Sequence, residues 1–273
     1  ATEVFRSALQ DEDPLIRFTA LASAGAGSPE QYVELVSPLL FDPVKAVRTE
    51  TASRLAGAPI QMLQPYQREQ FDLALGEYES ALRHGLDFAA SAHNLANLYA
   101  ARGDAFQAEY YYREALLIDD LFIPAKTNLA VILNSQGRND EAERLLAQVL
   151  ETNPDNHEVA YSMGLLLAEM GRIDEATEFL GQAAAGLPAR ARIQYNHGLA
   201  LQAVGRIPEA EGALTRAADL EPENVDFLFA LADHFVQRQE WDRALELADR
   251  MIELAPSDPR GGQVRQFVEG SRR

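Results

Sequence analysis

The chain has 273 residues, 47% of them hydrophobic and 24% charged, which is a globular composition. It contains no cysteine, which excludes disulfides, thiolate metal sites and thiol catalysis but leaves cytoplasm and periplasm equally open. A net charge of −18 repels phosphate backbones and anionic headgroups, and no apolar run approaches the roughly 20 residues that span a bilayer, so neither nucleic acid nor membrane insertion is expected.

Taken in chain order, residues 1–59 contain two related stretches, DPLIRFTALASAG from Asp13 and DPVKAVRTETASRLAG from Asp42. Each opens with Asp-Pro, reaches an arginine (Arg17, Arg48) and then an alanine (Ala20, Ala52). Proline at a first helical position behind an aspartate predicts a helix start at both places. The pair resembles HEAT repeats, which implies short α-helical hairpins over 1–59. The chain begins at Ala1, already inside a helical pattern, and is expected to be a portion of a longer polypeptide.

Residues 60–88 are read as a connecting or capping half-repeat. Phe71, Ala74, Tyr78 and Ala81 fit a second packing helix, whereas Gln61 to Arg68, with Pro65, do not fit a first one.

From Ala89 onward the chain repeats. Gly103, Gly137, Gly171 and Gly205 are spaced by 34 residues, with Gln239 one period on, and define blocks 89–122, 123–156, 157–190, 191–224 and 225–258. The eighth position of each block is small (Ala96, Ala130, Gly164, Gly198, Ala232), as is the twentieth (Ala108, Ala142, Ala176, Ala210, Ala244). Large apolar residues recur at the seventh and eleventh positions, for example Leu95 with Tyr99 and Leu129 with Leu133. Pro154, Pro188, Pro222 and Pro256 close four of the five blocks. Each block therefore predicts a helix of roughly 14 residues, a glycine turn and a second helix, opened in three cases by Asp140, Asp174 or Asp242. The period, the small contact columns and the terminal proline resemble the tetratricopeptide repeat family over residues 89–258. After Pro256, Arg260 to Glu269 read as the polar-faced helix that caps a solenoid, within a C-terminal segment 259–273. The predicted fold class is all-α: a right-handed α-solenoid of tetratricopeptide helix pairs preceded by a HEAT-like helical hairpin region.

Within a first helix, about 100° per residue places block positions 4, 7, 8 and 11 on one packing arc and positions 2, 5, 6, 9, 12 and 13 on the opposite arc. The resemblance implies that this second arc lines a concave groove holding an extended or helical segment of a protein partner. Its expected residues are His93, Asn94, Asn97, Thr127, Asn128, Tyr161, Arg192, Tyr195, Asn196, Phe229 and Asp233. Asn94, Asn128 and Asn196 stand in register, and a carboxamide can both donate to and accept from a peptide backbone. Position 5 runs His93, Thr127, Tyr161, Tyr195, Phe229, becoming aromatic, while Glu158 and Asp226 at position 2 give that end an acidic character. Arg192 is the one clear groove cation, so a clamp for a partner's C-terminal carboxylate is not expected.

Other constellations carry less. In Tyr110-Tyr111-Tyr112 the last residue falls in a packed column, and Trp241 occupies a helix start, so all four are read as structural. The five histidines, His84, His93, His157, His197 and His234, show no metal-ligand spacing, and no phosphate loop or nucleophile elbow occurs. No catalysis, cofactor or metal is expected, and the function read from the sequence is a protein-interaction scaffold. HEAT-like repeats followed by EYESAL, NLANLYAARGD and GRNDEAERLL are also similar to the C-terminal portion of certain bacterial multihaem cytochrome c proteins. That similarity implies the alternative of an accessory domain of a periplasmic redox protein whose haem chemistry lies outside this chain, since no C-x-x-C-H motif is present. A third reading is self-association through solenoid ends.

Overall fold

The computed structural model describes residues 2–23 and 28–272. All regular structure among them is helical, and the chain divides into two compact units, Ala1–Gln136 and Gly137–Arg273.

The first unit contains α1 (Thr2–Leu9), α2 (Pro14–Ala22), α3 (Pro29–Val36), α4 (Lys45–Leu55), α5 (Pro65–His84), α6 (Ala89–Ala101), α7 (Ala105–Ile118) and α8 (Ile123–Ser135). Short 3₁₀ turns at Ser37–Phe41 and Ile60–Met62 join α3 to α4 and α4 to α5. The first Asp-Pro starts a helix as expected: the Asp13 carboxylate accepts from Leu15 N–H at 2.8 Å, capping α2. The second does not. Asp42 holds the Arg17 guanidinium at 2.7 and 3.0 Å and accepts from Val44 N–H just as Asp13 accepts from Leu15 N–H, but α4 begins at Lys45 instead of Pro43. Arg48 repeats the gesture one layer on, its guanidinium meeting Glu77 at 2.9 and 3.0 Å. The two signature arginines thus each tie their helix to an acid 25 or 29 residues ahead. Leu21, Val36, Leu40, Leu55, Phe71 and Ala74 belong to one core beneath α1 to α5. Ala81, expected to pack, is exposed near the end of α5.

The second unit contains α9 (Asn139–Thr152), α10 (His157–Glu169), α11 (Ile173–Gly186), α12 (Ala191–Ala203), α13 (Ile207–Leu220), α14 (Val225–Gln237), α15 (Trp241–Leu254) and α16 (Pro259–Ser271). Asp140, Asp174 and Asp242 lie in the first turns of α9, α11 and α15, where a carboxylate opposes the helix dipole. The glycine column has a backbone reason. Gly171 and Gly205 take φ of +77°, and the next N–H reaches back five residues, Arg172 to Leu167 O at 2.9 Å and Arg206 to Leu201 O at 2.8 Å, closing the first helix. Gln239 adopts the same left-handed conformation at φ +60°, with Glu240 N–H to Phe235 O at 2.9 Å, at the cost of a Cβ in that region.

The small eighth position is a steric requirement here. A Cβ on Gly164 would lie 2.7 Å from Leu180 Cγ, and one on Gly198 would lie 2.8 Å from Leu214 Cγ. Leu180 and Leu214 are fully buried, so neither can retreat without disturbing the core. Where the partner position is Ala248 rather than leucine, the eighth position is Ala232, and both are completely buried. Beyond α15, α16 turns Gly261, Val264 and Val268 inward and leaves the rest of its surface to water.

Candidate partner-binding face

In the first unit the expected face is carried by α6 and α8. His93, Asn94, Asn97, Thr127 and Asn128 are all half-buried, the state of side chains on the floor of a shallow depression. They are bonded to one another more than the sequence indicates. Asn128 Nδ2 donates to Asn97 Oδ1 at 2.9 Å and lies 3.1 Å from His93 Nε2, which makes Nε2 the acceptor and puts the ring proton on Nδ1. The same Asn97 oxygen accepts from the Tyr112 hydroxyl at 2.6 Å. The His93 ring meets Phe122 edge-on at 5.4 Å and tilts against Tyr112 at 5.8 Å. Burial holds His93 below the ordinary imidazole range, with hydrogen bonding from Asn94 acting in the opposite direction. Burial likewise pushes the Tyr112 phenol up to about 12, so the network is neutral through the physiological range. Thr127 departs from expectation: its hydroxyl donates to Ile123 O within α8 at 3.1 Å, so that polar group is already engaged.

The second unit builds the equivalent face on α10, α12 and α14. Asn196 Nδ2 donates to the Tyr161 hydroxyl at 2.7 Å between two half-buried residues, a bond that uses neither the phenolic proton nor the carboxamide oxygen. The exposed Arg192 lays its guanidinium over Tyr195 at 5.3 Å and over Phe227 at 4.9 Å, the two rings being 5.0 Å apart. Phe229 lies under the Arg260 guanidinium at 5.4 Å, and Asp233 accepts from Gln237 Nε2 at 2.7 Å.

The acidic character expected at this end is largely cancelled. Glu158 pairs with Arg190 at 2.6 Å and Asp226 with Arg260 at 2.8 Å. Those cations come from a loop 32 residues and a cap helix 34 residues further along the chain, so no single-helix view of the columns could supply them. Arg192 is accordingly not the only arginine at this face. Tyr112, which the sequence places in a packed column, reaches this network through its hydroxyl, and Phe122 and Phe227 join the two clusters through ring contacts that helical phase does not indicate. The tyrosine at a packed column was the available signal, since a phenol filling a leucine's place carries a hydroxyl to wherever its ring ends.

The triple tyrosine divides as the sequence indicates, with Tyr111 and Tyr112 buried and Tyr110 half exposed. Tyr111 stacks on Tyr99 at 5.5 Å, and its hydroxyl accepts from Arg83 at 2.6 Å. Among the described residues no group of three or more histidines, aspartates and glutamates could hold a metal ion, and no helix is long and apolar enough to cross a membrane.

Comparison with known proteins bears on the fold that carries these residues. Family models described as tetratricopeptide repeat match residues 99–166, 133–203 and 195–259. A Sinorhizobium fredii protein bearing the name Uncharacterized protein y4yS is 33% identical over 133 residues, 45% of this chain and 69% of that one. Among solved structures, MamA from Desulfovibrio magneticus RS-1 superposes with a TM-score of 0.57 at 24% identity, over 62% of this chain and 96% of its own. YrrB, described as a TPR protein with an unusual peptide-binding site, gives 0.58 at 18% identity, over 69% and 97%. The chain belongs to the tetratricopeptide repeat family.

Proposed function

We propose that this protein is an interaction scaffold whose first-helix faces hold an extended or helical segment of a partner protein. In this reading residues 89–258 supply five repeats, 60–88 a connecting half-repeat, 1–59 a HEAT-like region and 259–273 a cap. The observation that carries the reading is the shelf formed by Arg192, Tyr195 and Phe227 beside the Tyr161–Asn196 pair: an exposed cation on two aromatic rings next to a carboxamide with an unused acceptor. Arg192 makes no ion pair among the described residues, whereas the arginines near it, Arg190 and Arg260, are paired. An unpaired guanidinium on aromatic rings suits a carboxylate on the partner, and the half-buried Tyr195 suits its apolar residues, while the fully buried Phe227 supports the guanidinium from below. The description of YrrB as having a peptide-binding site supports the class of ligand but not its identity.

Selection of binders from a random peptide display library, followed by calorimetric titration, tests the proposal. A selected peptide is expected to lose at least tenfold in affinity when Asn94, Asn128 and Asn196 are replaced together by alanine, and a comparable factor with Arg192→Ala. Because Asn128 and Asn196 also bond neighbouring helices, circular dichroism must first show that the variants remain folded. Unchanged affinity in folded variants overturns the proposal.

A further inference from the structure

The first unit contains a cleft of about 800 Å³ that the repeat pattern does not foreshadow. It opens where α3 and α4 face α5 and α6, and Asn94 and Asn97 line it while also belonging to the expected binding face. Tyr32 and Tyr78 bring two phenol rings to its walls, Leu98 contributes an apolar surface, and Ala101 also lines it.

The charges in the cleft cancel. Glu50 and Arg54, one turn apart on α4, pair at 2.8 Å, and among the described residues they are the only ionisable lining groups apart from the two tyrosines. Burial holds both phenols above their ordinary range, so they stay protonated at neutral pH, and Tyr78 is further engaged by a hydrogen bond with Ser53. A volume of this size takes a small ligand or two to three amino-acid residues, and mixed aromatic, aliphatic and carboxamide walls favour a planar, uncharged group with one polar edge. A charged occupant gains little here, because the Glu50–Arg54 pair is already formed and, with Arg54 44% accessible, is screened by solvent.

We infer that this cleft is an end pocket of the binding face that receives an uncharged aromatic residue of the bound segment, with Asn94 contacting that segment's backbone. The inference rests on the proposed scaffold function, yet it can be tested without a known partner. N-acetyl-tyrosinamide, titrated into the full chain and followed by ¹H–¹⁵N NMR, is expected to saturate with a dissociation constant of roughly a millimolar, as suits a fragment of its size. The amide signals of Ser53, Gly57, Asn94 and Ala101 should move together. The corresponding blocked amides of arginine and aspartate should bind at least fivefold more weakly. Ala101→Trp, which fills the cleft from an exposed position outside the core, should abolish binding. Asn94→Ala, a milder change, should weaken it about threefold and serves if the tryptophan variant misfolds.

Absence of saturable shifts at those four residues, equal binding of the charged amides, or full binding to folded Ala101→Trp overturns the inference. If library peptides bind the first-helix faces while the tyrosine amide does not bind, the pocket fails and the scaffold reading stands. If the amide binds and no library peptide engages the faces, the scaffold reading fails and the cleft stands as a site for a free small molecule, which also overturns its role as an end pocket.

Discussion

The two units solve the same packing problem with different side chains, and the difference reaches the proposed binding face. In the second unit Leu180 and Leu214 are seated against Gly164 and Gly198, and the contact is apolar throughout. In the first, the equivalent position is Tyr112, in a block whose eighth residue is the fully buried Ala96. The phenol fills the core as leucine does but carries a hydroxyl out to Asn97, so the packing is bonded to the proposed face. The second unit instead organises its face with arginines, Arg192 on aromatic rings and Arg190 and Arg260 on carboxylates. One repeat pattern thus supports a neutral carboxamide–imidazole–phenol network in one unit and a cation–aromatic shelf in the other.

The largest expected effect breaks the apolar side of this comparison. Gly164→Ala or Gly198→Ala gains up to about 1 kcal/mol of helix propensity. Overpacking against a fully buried leucine costs about 1–3 kcal/mol. The overlaps of 2.7 and 2.8 Å decide for the second effect, so a net loss of roughly 1–2 kcal/mol in urea unfolding is expected for each variant. A stabilised variant would show that the leucines have room to move. Next, Tyr112→Phe should cost about 1 kcal/mol, because it removes one of the two donors to Asn97 Oδ1 while keeping the ring. An unchanged midpoint would mean that the hydroxyl bond contributes nothing net and that the two units do not differ energetically.

Those two outcomes bear on what the sequence made legible. The 34-residue period, the small columns and the helix stops are local and recur, so the helical fold could be read directly. The consequences of long-range pairing could not. Asp42 begins a sequence motif identical in form to that at Asp13, yet it also receives the Arg17 guanidinium from 25 residues earlier, and its helix starts at Lys45 rather than at the proline. Glu158 and Asp226 read as acidic until arginines from the following layer meet them. Helical phase alone selects the eleven residues proposed for the face, but it does not show that Thr127 turns back on its own helix and Asn128 on its neighbours, because a short polar side chain finds the nearest acceptor first. The cleft beside Asn94 is lined mostly by residues that precede the 34-residue period and so has no period to reveal it.

A smaller effect sharpens the comparison within the second unit. Gln239 stands at φ +60° where the other blocks have glycine, so Gln239→Gly should relieve left-handed strain and raise stability by about 0.5–1 kcal/mol, the benefit being offset in part by backbone entropy. Loss of stability would mean that the glutamine side chain makes a compensating contact. The smallest effect concerns pH. Burial depresses His93 in the first unit and His197 and His234 in the second, so the unfolded chain accepts protons near pH 6.5 that the native state resists. Stability is therefore fully present above about 6.5 and falls as the pH drops from there through the lower folded values. His93→Gln should reduce that slope without removing it, as followed by thermal melts between pH 5 and 8, and an unaltered slope would show that His93 does not contribute.

The central claim is that the first helices of the repeats present the binding surface. Hydrogen–deuterium exchange of the full chain, with and without a library-selected peptide, tests it most directly. The account predicts added protection in Ala89–Ala101, Ile123–Ser135, His157–Glu169, Ala191–Ala203 and Val225–Gln237, with little change in the helices that follow each of them. Protection concentrated in those following helices, with the first helices unchanged, would contradict it.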